Sequence, residues 1–203
     1  MLTLLRSNNI ERTNDLLVGR RCDWTTPRVR AEYARWSGAA LGVAAAIETT
    51  PLAGIPVPLA ELGRFRLGLI LCGAMTFDHH THLRFDMAPA LNRPAPPTDG
   101  RRMSLVLQWM FAVLGNQWRM APPANFTRPL RISLRGPGAS EWILDSPGGV
   151  RSDSGGPADT TVFACATEFP EWATQRANWR SRDVSIVGDQ AYAEHLLDQI
   201  NVV

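Results

Sequence analysis

RMSLVLQWMFAVLGNQWRMAPPANFTRPLRISLR, residues 102–135, changes its period halfway along. Leu105, Leu107, Trp109, Met110, Val113 and Leu114 recur at helical spacing as far as Met120. Residues 121–127, with two adjacent prolines, break that pattern. Leu130, Ile132 and Leu134 then alternate with Arg131, Ser133 and Arg135, as a half-buried strand does. The switch predicts two parts, a helical one over residues 1–120 and a mixed α+β one over residues 128–203.

Working towards the N-terminus, the helical reading continues. Thr26 and Pro27 suit a cap and a first helical position. Val29, Tyr33, Trp36, Ala40, Val43 and Ala44 follow at helical spacing, up to Pro51. Residues 51–58 read as a loop. Pro58 then opens an expected helix through Leu59, Glu61, Phe65 and Leu67 towards Phe77 and Leu83. Residues 87–99 carry four prolines and read as irregular. Three or four helices of this kind imply a bundle. Towards the C-terminus the pattern predicts strands at 130–135, 141–145, 160–166 and 183–187. Helices are expected at 169–179 and from an Asp189 cap to Ile200, and a loop over 146–159. The order β-β-β-α-β-α implies a small α+β sandwich.

Composition excludes several classes. With 21 basic and 19 acidic residues among 203, net charge is +2, too balanced to imply nucleic acid. Every basic residue is Arg, so neither a Lys Schiff base nor a P-loop Lys is available. No apolar run approaches the roughly 18 residues of a membrane helix. The first residues lack the apolar core of a secretory signal, so the expected compartment is the cytoplasm, with no membrane partner. Cys22, Cys72 and Cys165 are odd in number and widely spaced, which argues against a disulfide scaffold or a CxxC motif.

The densest chemistry is Asp78-His79-His80-Thr81-His82, followed by Arg84 and Asp86. On a helix Asp78 and His82 are one turn apart on one face, and His79 lies three positions from His82. A carboxylate and an imidazole so placed can share a divalent ion with groups from facing helices. They also fit a solvated helix end, where a histidine cation suits the helix dipole. Arg176, Arg180 and Arg182 precede the last strand. They form either a solvated basic edge or a clamp for a carboxylate substrate. Ser152 lacks a GxSxG context, and the glycines at 136–138 and 148–149 lack a phosphate-loop pattern. The tryptophans and His195 read as core or surface residues.

Three segments carry a family resemblance: residues 59–100 (LAELGRFRLGLILCGAMTFDHHTHLRFDMAPALNRPAPPTDG), 105–117 (LVLQWMFAVLGNQ) and 168–203 (EFPEWATQRANWRSRDVSIVGDQAYAEHLLDQINVV). Together they resemble the mycothiol-dependent maleylpyruvate isomerase family. The FDHHTHLRFDM run, with Arg93 to Asp99 after it, is similar to the end of that family's metal-binding helix and its next loop. WRSRDVSIVGD and LLDQINVV are similar to its C-terminal module. The resemblance implies a DinB-like metal-binding helical bundle followed by a sterol-carrier-like module. It implies a divalent metal, usually zinc, on Asp78 and His82, with His79 as an auxiliary ligand, and mycothiol activated as its thiolate. It implies Arg176 as the group that holds a substrate carboxylate, with Arg180 and Arg182 as rivals. The family's first helix, which supplies a further metal His, has no counterpart, since no His precedes His79. The expectation is therefore a truncated bundle with poor zinc affinity and exposed apolar surface that favours a homodimer. Two functions follow: a thiol-dependent isomerase or transferase, active or relict, on a small-molecule substrate that nothing in the sequence identifies; or a non-catalytic small-molecule binding or interaction protein on the same fold.

Overall fold

The computed structural model describes residues 10–59, 62–145, 149–152 and 155–202. Residues 60–61 of the expected second helix, and 146–148 and 153–154 of the expected loop, lie outside the described residues. So do residues 1–9, on which the signal-peptide argument rests, and Val203. The chain divides into two compact units, Met1–Leu52 and Ala53–Val203. The boundary expected between residues 120 and 128 falls inside the second unit.

In the first unit, helix α1 (Ile10–Gly19) leads through a short turn into α2 (Thr26–Glu48). Thr25, extended at φ −68° and ψ 149°, stands at the N-cap position of α2 without a side-chain capping bond, so the helix starts one residue earlier than expected and Pro27 lies in its first turn. Arg21 fixes the turn by a two-pronged pair with Glu32, Nε to Oε2 at 2.6 Å and Nη2 to Oε1 at 3.0 Å. No residue of α2 is buried.

The second unit contains a hairpin, β1 (Pro56–Pro58) against β2 (Arg64–Arg66); β1 lies in the expected loop and β2 where the periodicity predicts a helix. Phe65 is buried between exposed Arg64 and Arg66 and meets Trp109 with ring centroids 4.7 Å apart. Three residues are too few for that alternation to declare itself in sequence. Gly63, at φ +99°, makes the turn, and a Cβ there would lie 2.8 Å from Asn116 Nδ2. That amide instead donates to the Leu62 carbonyl at 3.0 Å.

A helical run follows. A π-helical turn, Leu69–Ala74, precedes α3 (Met75–Thr81), and a second, His82–Met87, leads into α4 (Ala88–Ala90). Helix thus reaches four residues, Met87 to Ala90, into the segment expected to be irregular. Gly73 allows close approach to the next helix: a Cβ there would sit 3.2 Å from Trp109 Cβ.

That next helix, α5 (Gly100–Met120), is capped by Asp99, whose carboxylate accepts from Arg102 N–H at 2.8 Å. Eleven of its residues are buried, among them Met103, Leu107, Trp109, Met110, Phe111, Val113 and Leu114. These span most of the helix circumference, leaving a stripe with Arg101, Gln108 and Arg119 exposed, because α5 is covered on two sides. Its Trp109 side meets Phe65 and the helical run. Its Phe111 side stacks on Trp142 and Phe169, at 4.3 and 4.9 Å.

The sheet has the order β5-β4-β3-β6-β7, with β3 (Leu130–Arg135), β4 (Ser140–Asp145), β5 (Gly149–Ser152), β6 (Thr160–Cys165) and β7 (Val184–Val187). β3 and β6 run parallel and the other neighbours antiparallel. Leu130, Ile132 and Leu134 are buried, as their alternation predicts. β5 lies within the stretch expected to be a loop. The helix expected over 169–179 is shorter: α6 (Phe169–Ala173) ends before Gln175, which adopts φ +58°. A 3-10 turn, Trp179–Ser181, follows. α7 (Gln190–Leu197) starts at its expected cap, where Asp189 accepts from Tyr192 N–H at 3.0 Å. α5, α6 and α7 share one hydrophobic core with the sheet. The fold is α+β, and α5 belongs to the core of the sheet unit rather than to a separate bundle.

Candidate functional site

Asp78, His82 and Asp86 recur at intervals of four along the helical run and form a polar stripe. His82 sits between the two carboxylates, with Nε2 3.4 Å from Asp78 Oδ1 and Nδ1 2.6 Å from Asp86 Oδ2. Asp86 is gripped from the far end of the chain: Arg176 Nε donates to Oδ1 at 2.8 Å and Nη2 to Oδ2 at 2.9 Å. The Arg176 fork, helped by His82, holds the Asp86 carboxyl down at about 2 against a smaller opposing effect of burial.

This arrangement has a chemical consequence. An ionised Asp86 can only accept, so His82 Nδ1 carries the proton of that bond. In the neutral ring the Nε2 lone pair then faces the Asp78 carboxylate. Two acceptors 3.4 Å apart attract whatever brings positive character between them: a proton, a ligand N–H or O–H, or a cation. A carboxylate orienting the far nitrogen is also what a metal-ligating histidine usually has.

Asp78 also borders an apolar groove of about 370 Å³, lined by Leu62, Ile70, Ala74, Phe77, Trp109 and Val113 among others. Asp78 touches the edge of this groove while its side chain stays two-thirds exposed. His82 is half-exposed and is not part of the groove wall.

The remaining candidates lie elsewhere. His79 directs Nδ1 at the Met75 carbonyl, 2.9 Å away. Arg180 is tied to Asp198 and Glu194 and lies over the Trp179 ring at 4.2 Å. Arg182 forms a fork with Glu171, both contacts at 2.8 Å. All three arginines thus hold carboxylates of the chain itself. His80, to which the sequence assigned no role, is buried with Nε2 unpartnered. Burial, then the nearby Arg84 charge, lowers its pKa to about 4.

A catalytic zinc takes three protein ligands and one open position. Among the described residues no three His, Cys, Asp or Glu side chains converge as a metal site. Asp78 and His82 supply two ligands, and Asp86 is engaged on the other nitrogen and with Arg176. The described residues do not fit a catalytic zinc.

No family model matches the sequence, and no curated protein matches it. Among solved structures, the chain is similar to Sterol Carrier Protein 2 Like 2 from Aedes aegypti, with TM-score 0.41 and 15% identity over 49% of this chain and 98% of that one. It is similar to the sterol carrier protein domain 2 of Helicoverpa armigera, with TM-score 0.34 and 15% identity over 49% and 82%. A third likeness is to the ubiquinone synthesis protein UbiJ-SCP2, with TM-score 0.34 and 21% identity over 48% and 89%. The match is to a sterol carrier protein 2-like domain over about half the chain. Among the described residues no helix is long and apolar enough to cross a membrane.

Proposed function

We propose that the protein binds a small amphipathic molecule. Its apolar body occupies the groove beside Trp109, and its hydrogen-bond-donating or cationic head lies at Asp78 and His82. The observation that carries this reading is Asp78 itself, a carboxylate set in the rim of an otherwise apolar groove, 3.4 Å from His82 Nε2. Apolar walls supply affinity and a few placed polar groups supply orientation. Titration with a fluorescent apolar amine, followed by its emission and by Trp109 quenching, tests it. Saturable one-to-one binding is expected, lost in Ala74→Trp, which fills the groove, and weakened in Asp78→Asn. Binding that survives Ala74→Trp unchanged refutes the reading.

A second reading, the thiol-dependent isomerase or transferase, is favoured by one observation: the Asp86–His82 contact orients the imidazole as a ligating histidine is oriented. It needs a third ligand beyond those described. Mycothiol consumption in the presence of an added divalent metal tests it directly.

A further inference from the structure

Helix α2 spans 23 residues without one buried side chain, and Tyr33, Trp36 and Val43 are each more than half exposed. Val29, Tyr33, Trp36, Ala40, Val43 and Ile47 follow one another at steps of four and three, the spacing of a coiled-coil seam. The seam is self-complementary when reversed. Laid antiparallel on a second copy, it pairs Val29 with Ile47, Tyr33 with Val43, and Trp36 with Ala40, each pair formed twice about a two-fold axis. The largest side chain of the row then meets its smallest neighbour.

From this we infer that α2 is a homodimerisation helix that packs antiparallel on α2 of a second copy of the chain. Charge selects the orientation. Arg28, Arg30 and Arg35, against Glu32 alone, lie in the first half of the helix, which is therefore net basic, and Glu48 lies at its end, while the seam itself carries no charge. A parallel pair would bring the three arginines onto their own copies. The antiparallel pair sets the basic half beside the partner's acidic end and opposes the helix dipoles. The seam runs about 27 Å. Two such faces bury on the order of 1,000 Å², the lower bound for a specific interface.

Light scattering and sedimentation of the full chain test this. The expected particle has twice the 22.4 kDa of one chain. Trp36→Glu is expected to give the single-chain mass with an unchanged far-UV spectrum, because the side chain is exposed within one copy. Ala39 flanks the seam, beside its own counterpart across an antiparallel axis. In a Cys22→Ser background, Ala39→Cys is therefore expected to form an intermolecular disulfide under mild oxidation. A wild-type chain that stays monomeric at high micromolar concentration overturns the inference. So does a dimer that persists in Trp36→Glu, and so does a dimer of the Ala39→Cys variant that fails to cross-link.

Discussion

Lowering the pH from 7 to 5 should destabilise this protein chiefly through His80. Its imidazole is buried at 8% exposure, edge-on to Phe85 with ring centroids 6.0 Å apart, and its Nε2 has no partner. Burial and the Arg84 charge lower its pKa from 6.5 to about 4. The folded state therefore binds the proton less readily than the unfolded chain. The stability that the neutral ring contributes is fully present above about 6.5, falls as the pH drops through that value, and is exhausted near 4. At pH 5 an imidazole in the unfolded chain is almost wholly charged and the buried one is not. Linkage then gives about 2 kcal/mol of lost stability relative to pH 7. Urea unfolding at the two pH values measures it, as a shift of about 1 M in the midpoint at ordinary denaturant sensitivity. His80→Phe keeps an aromatic ring in the pocket and removes the titrating group. The wild-type protein should lose about 2 kcal/mol more than this variant over the interval. Equal losses in the two proteins refute the reasoning.

Three further outcomes are expected. Arg176→Met removes the fork on Asp86; both partners are partly exposed, so about 1 kcal/mol at pH 7 is the expected cost by chemical denaturation. In the wild type that contribution is present above about pH 4 and fades as the pH falls towards 2, whereas the variant should show no such fading. Gly188→Ala should destabilise by about 3 kcal/mol in thermal unfolding, since φ is +106° and the added Cβ would press on the Asp159 carbonyl and Thr160. Isothermal titration with Zn²⁺ should show only weak binding, lost in His82→Ala. Nanomolar one-to-one affinity would mean that a third ligand takes part.

The sequence is most readable where one period governs a whole element. The alternation of Leu130, Ile132 and Leu134 locates the central strand, and Asp189 announces the last helix. It is least readable where an element is too short to show a period. β2 contains one inward residue, Phe65, and β5 is hidden among glycines and serines. The environment of α5 has a visible signal that the bundle reading does not use. Met103, Leu107, Phe111 and Leu114 face one way, while Trp109 and Val113 face another, so the apolar arc is much wider than one face and only a narrow stripe with Arg101, Gln108 and Arg119 is left to solvent. A helix with so wide an apolar arc must be covered on two sides. At the site, the helical spacing of Asp78 and His82 is enough to bring them together. The grip of Arg176 on Asp86 spans 90 residues, and no local pattern reports it. The resemblance offers Arg176 to a substrate; in the structure its Nε–Nη2 edge holds Asp86.

The two-sided burial of α5 also governs how this architecture can vary. A helix that lies between two layers cannot be repacked for one of them alone, because a side chain that turns towards the sheet displaces its neighbours towards the groove. A change at Phe111 that loosens its stack on Trp142 reaches Trp109 two residues away, and with it the wall of the cavity. Drift in the sheet and drift in the groove are therefore coupled through one rod. The sheet cannot be exchanged as an independent cassette without reshaping the pocket on the other side.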